Sequence, residues 1–391
     1  MSLLLHSLIP FVVSALAAIW VFPKVLHIAL QKNIVDNPDA RKLQRIPIPV
    51  LGGVAVMFGI VVSLSISCLL FDCSNLFTIV LAMFMMLYVG TIDDIMELSP
   101  RVRFLIEIGV ALMLMYTCDY SIDHLHGLWG LQAIPSVVSI PLTIVSVVGL
   151  INAINLIDGV DGYSSGYCIM ACLIFGTFYA VVGDIPMVML ASVCIGALFP
   201  FFFHNVFGRT SKMFIGDGGT LVMGIVMSIF VLNMLKGETL CNAYVSWGMG
   251  LVPLSLAILS IPVFDTVRVM STRIMRGTSP FHPDKTHLHH LFIDMGFSHI
   301  GTTCSILLFN LLNILVWYLT YRLGASIDVQ LYVVIAMALL STFGFYGIMR
   351  FFQHRDNAIW QAMCRFAKVT HVERKGLFLW LQRFMDGKQS N

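Results

Sequence analysis

Two adjacent carboxylates, Asp93 and Asp94, stand side by side in the segment LYVGTIDDIMEL, at the end of about 17 consecutive apolar or small residues. Further acids end other apolar runs in the same way: Asp158 and Asp161 in NAINLIDGVDG, Asp217 in KMFIGDGGT and Asp265 in SIPVFDTVRV. Ionised carboxylates beside hydrocarbon are costly, so acids gathered at one depth point to function. Such a set can hold a hard divalent cation or take a proton from a phosphate. Arg101 and Arg103 follow the first pair closely and could hold a phosphate that carboxylates alone would repel. Asn152, Asn155, Asp158 and Asp161 recur every three residues, which puts amides and carboxylates on one face of a helix end. Gly216, Gly218 and Gly219 surround Asp217, leaving room for a metal-bound phosphate to approach the backbone.

The segment FDTVRVMSTRIMRGTSPFHPDKTHLHH adds the densest set of cationic and imidazole groups: Arg268, Arg273, Arg276 and Lys285 with His282, His287, His289 and His290. Arginine forks with imidazoles suit a pyrophosphate. A zinc site is the rival reading of the histidines, but no cysteine in the loop completes it, and the all-oxygen carboxylates elsewhere suit Mg²⁺.

These groups must be positioned by a membrane. Apolar residues make up 58% of the 391 residues, charged residues only 11%, and mean hydropathy is +0.88. That composition excludes an ordinary soluble domain, in which about a quarter of residues are charged. The expected fold is all-α and polytopic, with about eleven spans near 4–23, 50–71, 76–92, 104–118, 136–153, 163–182, 187–204, 218–235, 244–264, 303–321 and 329–349. Of the 23 Lys and Arg, 21 fall in the loops after odd-numbered spans and in the tail; Lys236 and Arg322 are the others. The positive-inside rule then places every acidic cluster on the cytoplasmic face, the amino terminus outside and the tail inside. No basic residue precedes the first span, which therefore reads as a retained anchor rather than a cleaved signal. Nine scattered cysteines give no disulfide framework, although Cys73, Cys118 and Cys241 all lie near the outer face. Two parts are expected: a membrane domain over 1–350 and a cytoplasmic tail over 351–391, the tail folding as one or two amphipathic interfacial helices. The loop at 118–136 is expected to hold a small hairpin.

The order RKLQRIPIPVLGG, TIDDIMELSPRVR, NAINLIDGVDG, FIGDGG, PVFDTVRV and SPFHPDKTHLHH resembles the polyprenyl-phosphate N-acetylhexosamine-1-phosphate transferases over roughly residues 1–320. The HLHH form resembles the WecA/TagO-type N-acetylglucosamine-1-phosphate branch more than the muramoyl-pentapeptide branch, which shows three consecutive histidines. The resemblance implies a bacterial inner-membrane enzyme that moves a sugar-1-phosphate from a UDP-sugar to undecaprenyl phosphate, releases UMP and uses Mg²⁺, with Mn²⁺ as a substitute. It implies that Asp93 orients or deprotonates the acceptor phosphate, that Asp217 ligates the metal, and that Asp94 shares one of these tasks, including as a second ligand. Asn155, Asp158, Asp161 and Arg103 would meet nucleotide, metal or phosphate. Arg268, Arg273, Arg276, His287, His289 and His290 would hold the pyrophosphate and sugar. Gln44 stands where the family has histidine, so no catalytic role passes to it. The sugar is left open among UDP-GlcNAc, UDP-MurNAc-pentapeptide and a 6-deoxy relative. An ion-coupled transporter is the competing class, but it predicts mid-span acids and inverted repeats that the sequence lacks. No nucleic-acid partner is expected, and a homo-oligomer is left open.

Overall fold

The computed structural model describes residues 2–38, 44, 46–71, 76–280, 284–372 and 376–387. Arg41, Lys42, Cys73 and His282 lie outside the described residues. The chain runs α1 (Ser2–Gln31), a two-stranded ribbon of β1 (Val35–Asp36) and β2 (Ile48–Pro49), α2 (Gly52–Ser67), α3 (Phe77–Met96), α4 (Pro100–Cys118), α5 (Ser136–Leu156), α6 (Tyr163–Val182), α7 (Ile185–Phe207) and α8 (Gly216–Leu235). Then follow α9 (Asn242–Ser246), α10 (Leu251–Ile258), α11 (Ser260–Met275), α12 (Leu288–Asp294), α13 (His299–Arg322), α14 (Ile327–Leu339), α15 (Phe345–His354), α16 (Ala358–Ala367) and α17 (Gly376–Met385).

Among the described residues, eight helical segments are long and apolar enough to cross a membrane, or nine if the bent pair α10–α11 is one span; α14 and α15 join into one of them. The shorter α2 and the charge-bearing α4 occupy the other two places where the hydropathy pattern predicts spans. Helix α8 is the hub. It packs on α3 and α5, with α2, α6 and α10 around it, and every one of its residues except Asp217 is buried. A helix apolar on all sides can be enclosed in this way without stranding polar groups. The polar ends of α3, α5 and α8, together with α11 and α12, meet at one end of the bundle.

The ninth expected span differs from a continuous helix. The chain bends by 74° between α10 and α11. Side chains take over the backbone groups released there: Ile258 O accepts from Tyr167 Oη at 2.7 Å and Asn310 Nδ2 at 2.9 Å, while Ile261 N donates to Asn310 Oδ1 at 3.2 Å. A break at membrane depth survives only where such partners exist.

The loop at 118–136 does form a hairpin, with Leu125 N donating to Gln132 O and Ile134 N to Asp123 O, each at 2.8 Å. Cys118 and Cys241 are free thiols. The tail forms the amphipathic helices α16 and α17, but the expected boundary at 350 falls inside α15. Trp360 is buried and Thr370 bonds Ser298, so the tail is docked on the bundle.

Candidate active site

The local chain explains why the acids converge. Helix α3 ends with Glu97 in the left-handed region, and Asp93 closes that end by accepting from Leu98 N at 2.8 Å. Ser99 then caps α4, accepting from Val102 N, with Pro100 at the first helical position. The segment before α8 is pinned to the start of α2: Phe214 N donates to Pro49 O, Gly52 N to Phe214 O and Gly53 N to Ile215 O, at 2.7–2.9 Å. Glycines permit this closeness. A Cβ on Gly90 would stand 2.5 Å from the Asp217 backbone, and one on Gly219 2.8 Å from Gly53 Cα. The glycines beside Asp217 therefore serve helix packing, where the sequence suggested room for a phosphate.

Asp217, Asp93 and Arg103 form the centre. Arg103 Nη1 lies 3.2 Å from both Asp93 Oδ2 and Asp217 Oδ2, and its Nε donates to Glu107 Oε1 at 3.1 Å. Asn152 backs this arrangement, donating to Glu107 Oε2 at 2.7 Å. Asn155 Nδ2 donates to Asp217 Oδ1 and to Thr220 Oγ1, both at 2.8 Å. Asp94 points elsewhere: its two oxygens accept from Asp217 N at 3.0 Å and Gly218 N at 3.3 Å. The expectation of Asp94 as a metal ligand thus meets a carboxylate already fixing the first turn of α8, where the helix dipole favours negative charge.

Two cavities flank this centre. The first, about 700 Å³, is lined by Asp94, Asn155, Asp158, Asp161, Lys212, Asp217 and His290, with Gln44 and apolar residues of the ribbon at its edge. The second, about 690 Å³, is lined by Asp93, Arg101, Arg103, Asn152, Asn155 and Arg273, with Leu98, Phe104, Leu156 and Met270 supplying apolar wall. The neighbours Asp93 and Asp94 face different cavities, and Asn155 faces both.

Asp158 accepts from Ser164 Oγ and opens to the first cavity. Asp161 is held by Lys212 Nζ at 2.6 Å and His299 Nδ1 at 2.8 Å. Burial works to raise its pKa, but the bond to His299 and the Lys212 charge outweigh it and hold the carboxyl below its usual range. Lys212, His299 and Glu107 were not singled out from the sequence. Only the Arg103–Glu107 spacing of four residues could have signalled any of them.

The basic loop is built differently from the expectation that all its groups grip a ligand. Arg268 and Asp265 form a buried pair at 2.7 Å; Arg268 also donates to Thr286 O, while Asp265 accepts from Leu288 N and meets His287 Nδ1 at 3.1 Å. Arg273 donates to Pro280 O and Asp284 Oδ1, at 2.7 and 2.9 Å. Arg268 and His287 therefore brace the loop, and Arg273 both braces it and borders the second cavity. Arg276 is exposed and lines neither cavity. His289 is buried behind His290, and of the three histidines only His290 reaches the first cavity. Among the described residues no three His, Cys, Asp or Glu side chains form a ready metal-binding group.

Burial, then the neighbouring His287, pushes the His290 pKa down to about 4, and His289 also lies far below its usual value. Both rings are neutral at pH 7, so His290 can offer a hydrogen bond there but no charge. A depressed histidine pKa contributes stability above the unfolded value near 6.5 that is lost as pH falls through 4. His290→Asn is accordingly expected to lose less thermal stability than the parent between pH 7 and pH 4.5. Equal losses in paired melting curves would contradict this burial of an uncharged ring.

A family model for glycosyl transferase family 4 matches residues 76–235. The chain is 31% identical over 300 residues to the undecaprenyl-phosphate alpha-N-acetylglucosaminyl 1-phosphate transferase of Pasteurella multocida (strain Pm70), covering 75% of this chain and 80% of that one. The chain belongs to glycosyl transferase family 4. It is also 29% identical over 301 residues to a probable undecaprenyl-phosphate N-acetylglucosaminyl 1-phosphate transferase of Bacillus subtilis (strain 168), covering 76% and 80%. The Salmonella typhi undecaprenyl-phosphate alpha-N-acetylglucosaminyl 1-phosphate transferase is 28% identical over 300 residues, covering 73% and 77%. The region matched by the family 4 model holds the whole Asp93–Arg103–Asn155–Asp217 centre, whereas the Arg268–His290 loop lies beyond it.

Proposed function

We propose that the protein transfers N-acetylglucosamine 1-phosphate from UDP-N-acetylglucosamine to undecaprenyl phosphate, at the inner face of a bacterial cytoplasmic membrane. The observation that carries this reading is the Asp93–Arg103–Asp217 centre standing between two cavities of similar size, the first mixed in lining and rich in carboxylates, the second more apolar and lined by three arginines. A nucleotide sugar fits the first, and a prenyl phosphate the second, where Phe104, Leu156 and Met270 would flank the chain and Arg101 and Arg103 its phosphate. An acceptor oxygen then attacks the sugar-bearing phosphorus, the bond from that phosphorus to the bridging oxygen breaks, and UMP leaves with that oxygen. Asp93, facing the second cavity, would orient the acceptor phosphate or take its proton. Phosphoryl transfer needs mainly alignment and charge neutralisation; Arg103 and Lys212 would supply the charge, while Asn155 and Asn152 fix Asp217 and Glu107 in place.

Asp217 and Asp93 fit a Mg²⁺ ion. Both are hard oxygen donors facing a position already shared with a cationic guanidinium, and Mg²⁺ usually takes only one or two protein carboxylates with substrate phosphates. Bound there, the ion would neutralise developing phosphate charge. The reading is tested by UMP release from UDP-N-acetylglucosamine in detergent with undecaprenyl phosphate. Release should need both substrates, stop with excess EDTA and return with Mg²⁺ or Mn²⁺. Undiminished turnover in EDTA would defeat the metal, and no release from any UDP-N-acetylhexosamine would defeat the function.

The basic-residue asymmetry supports an outside amino terminus and an inside tail. In a background lacking Cys73, Cys118 and Cys241, a cysteine at Ser121 should label with an impermeant thiol reagent in intact cells, and one at Ser279 should not. The reverse pattern would invert the topology.

A further inference from the structure

Helix α17 lies far beyond residues 76–235, yet it closes one side of the first cavity, where Phe378 and Gln382 are part of the wall. Two contacts dock it there, bracketing the loop between α7 and α8. The Phe378 ring packs on Phe207, the last residue of α7, at 5.0 Å between centroids. Just past the helix, Asp386 gathers three consecutive backbone amides of that loop. Its Oδ1 accepts from Arg209 N at 2.9 Å, from Thr210 N and Ser211 N at 3.0 Å, and from Ser211 Oγ at 3.0 Å; Oδ2 adds Arg209 N at 3.2 Å. Burial opposes the charge on Asp386, but these amides hold its carboxyl below the usual range. The next residue in the loop is Lys212, whose ammonium borders the cavity on the Asp161 carboxylate.

From this arrangement we infer that α17 is a working wall of the donor cavity: Phe378 and Gln382 bound the nucleotide sugar, and Asp386 is a positioning residue that sets Lys212 toward its diphosphate. The inference rests on the donor occupying the first cavity, as proposed above. A carboxylate tied to three successive amides fixes the backbone from which Lys212 projects, and a lysine on a fixed backbone loses less freedom when it meets a phosphate. The amphipathic tail thereby joins the interface-facing surface of the protein to donor affinity rather than to the chemical step.

The test uses full-length protein in detergent with Mg²⁺, UDP-N-acetylglucosamine and undecaprenyl phosphate. Asp386→Ala should raise the donor KM about tenfold, the loss associated with one charged hydrogen bond, with acceptor KM and kcat within about twofold. Asp386→Asn keeps an acceptor oxygen toward the amides and should recover most of the donor KM. Hydrogen exchange at the amides of residues 209–211 should accelerate sharply in Asp386→Ala. Gln382→Ala should raise the donor KM with that exchange unchanged, and it decides the matter if Asp386→Ala fails to accumulate. An unchanged donor KM in both variants overturns the inference, as does an equal change in donor KM, acceptor KM and kcat. If the unmodified protein releases no UMP, the proposed function has failed instead, and amide exchange still reports whether the clasp exists.

Discussion

Exchanging Asp217 for Asn is expected to lower kcat at least about a hundredfold, the scale of losing one strong electrostatic contact to a transition state. Asp217 is the single residue of α8 left unburied, at the helix start, with Asn155 on one oxygen and Arg103 on the other. Asparagine keeps the volume and one acceptor but removes the charge that would hold Mg²⁺. The fold should survive, because the apolar packing of α8 and the bonds between Asp94 and its first turn remain, and an uncharged group is cheaper to enclose. Steady-state UMP release at saturating donor, acceptor and Mg²⁺ measures the effect. A kcat within tenfold of the parent, in protein that melts normally, would take Asp217 out of the centre.

Removing Arg103 should damage stability as well as turnover. Its guanidinium is the cation shared by Asp93, Asp217 and Glu107, and Glu107 lies buried within α4. Leaving a buried charge unpaired costs about 3–5 kcal/mol; the lower end applies here because the Arg103 side chain is 15% exposed. Arg103→Ala is therefore expected to melt earlier and to be inactive. Arg103→Lys should regain much of the stability but little of the rate, since a single ammonium cannot span three carboxylates as a planar fork does. Melting curves and turnover on the same preparations separate the two effects. A fully active lysine variant would show that charge alone, without the fork, is what the site uses.

Much of this was legible because hydropathy and carboxylate placement are local signals. Apolar runs marked the spans, and the cost of charge near lipid marked Asp93, Asp94, Asp158, Asp161 and Asp217. What escaped depends on distant pairing. The Asp161 clasp joins residues 51 and 138 positions apart, and no spacing rule reaches that far. The basic loop misled for a related reason. Asp265 stands three residues before Arg268 and Asp284 eleven after Arg273, so each arginine finds an internal acid before it finds a ligand. The break at Ile258 was invisible because its partners, Tyr167 and Asn310, lie on other helices.

The enclosure of α8 also governs how the enzyme should respond to its lipid surroundings. Membranes differ in thickness by several ångströms, and helices touching lipid adjust by tilting or by moving their flanking residues. Helix α1, with many outward-facing residues such as Leu4, Leu16 and Trp20, can absorb such a mismatch directly. Helix α8 touches no lipid, so a change in bilayer thickness reaches Asp217 only through the helices around it. The Asp217 carboxylate is thereby insulated from the membrane's own variability, although one of the enzyme's two substrates must come from that membrane.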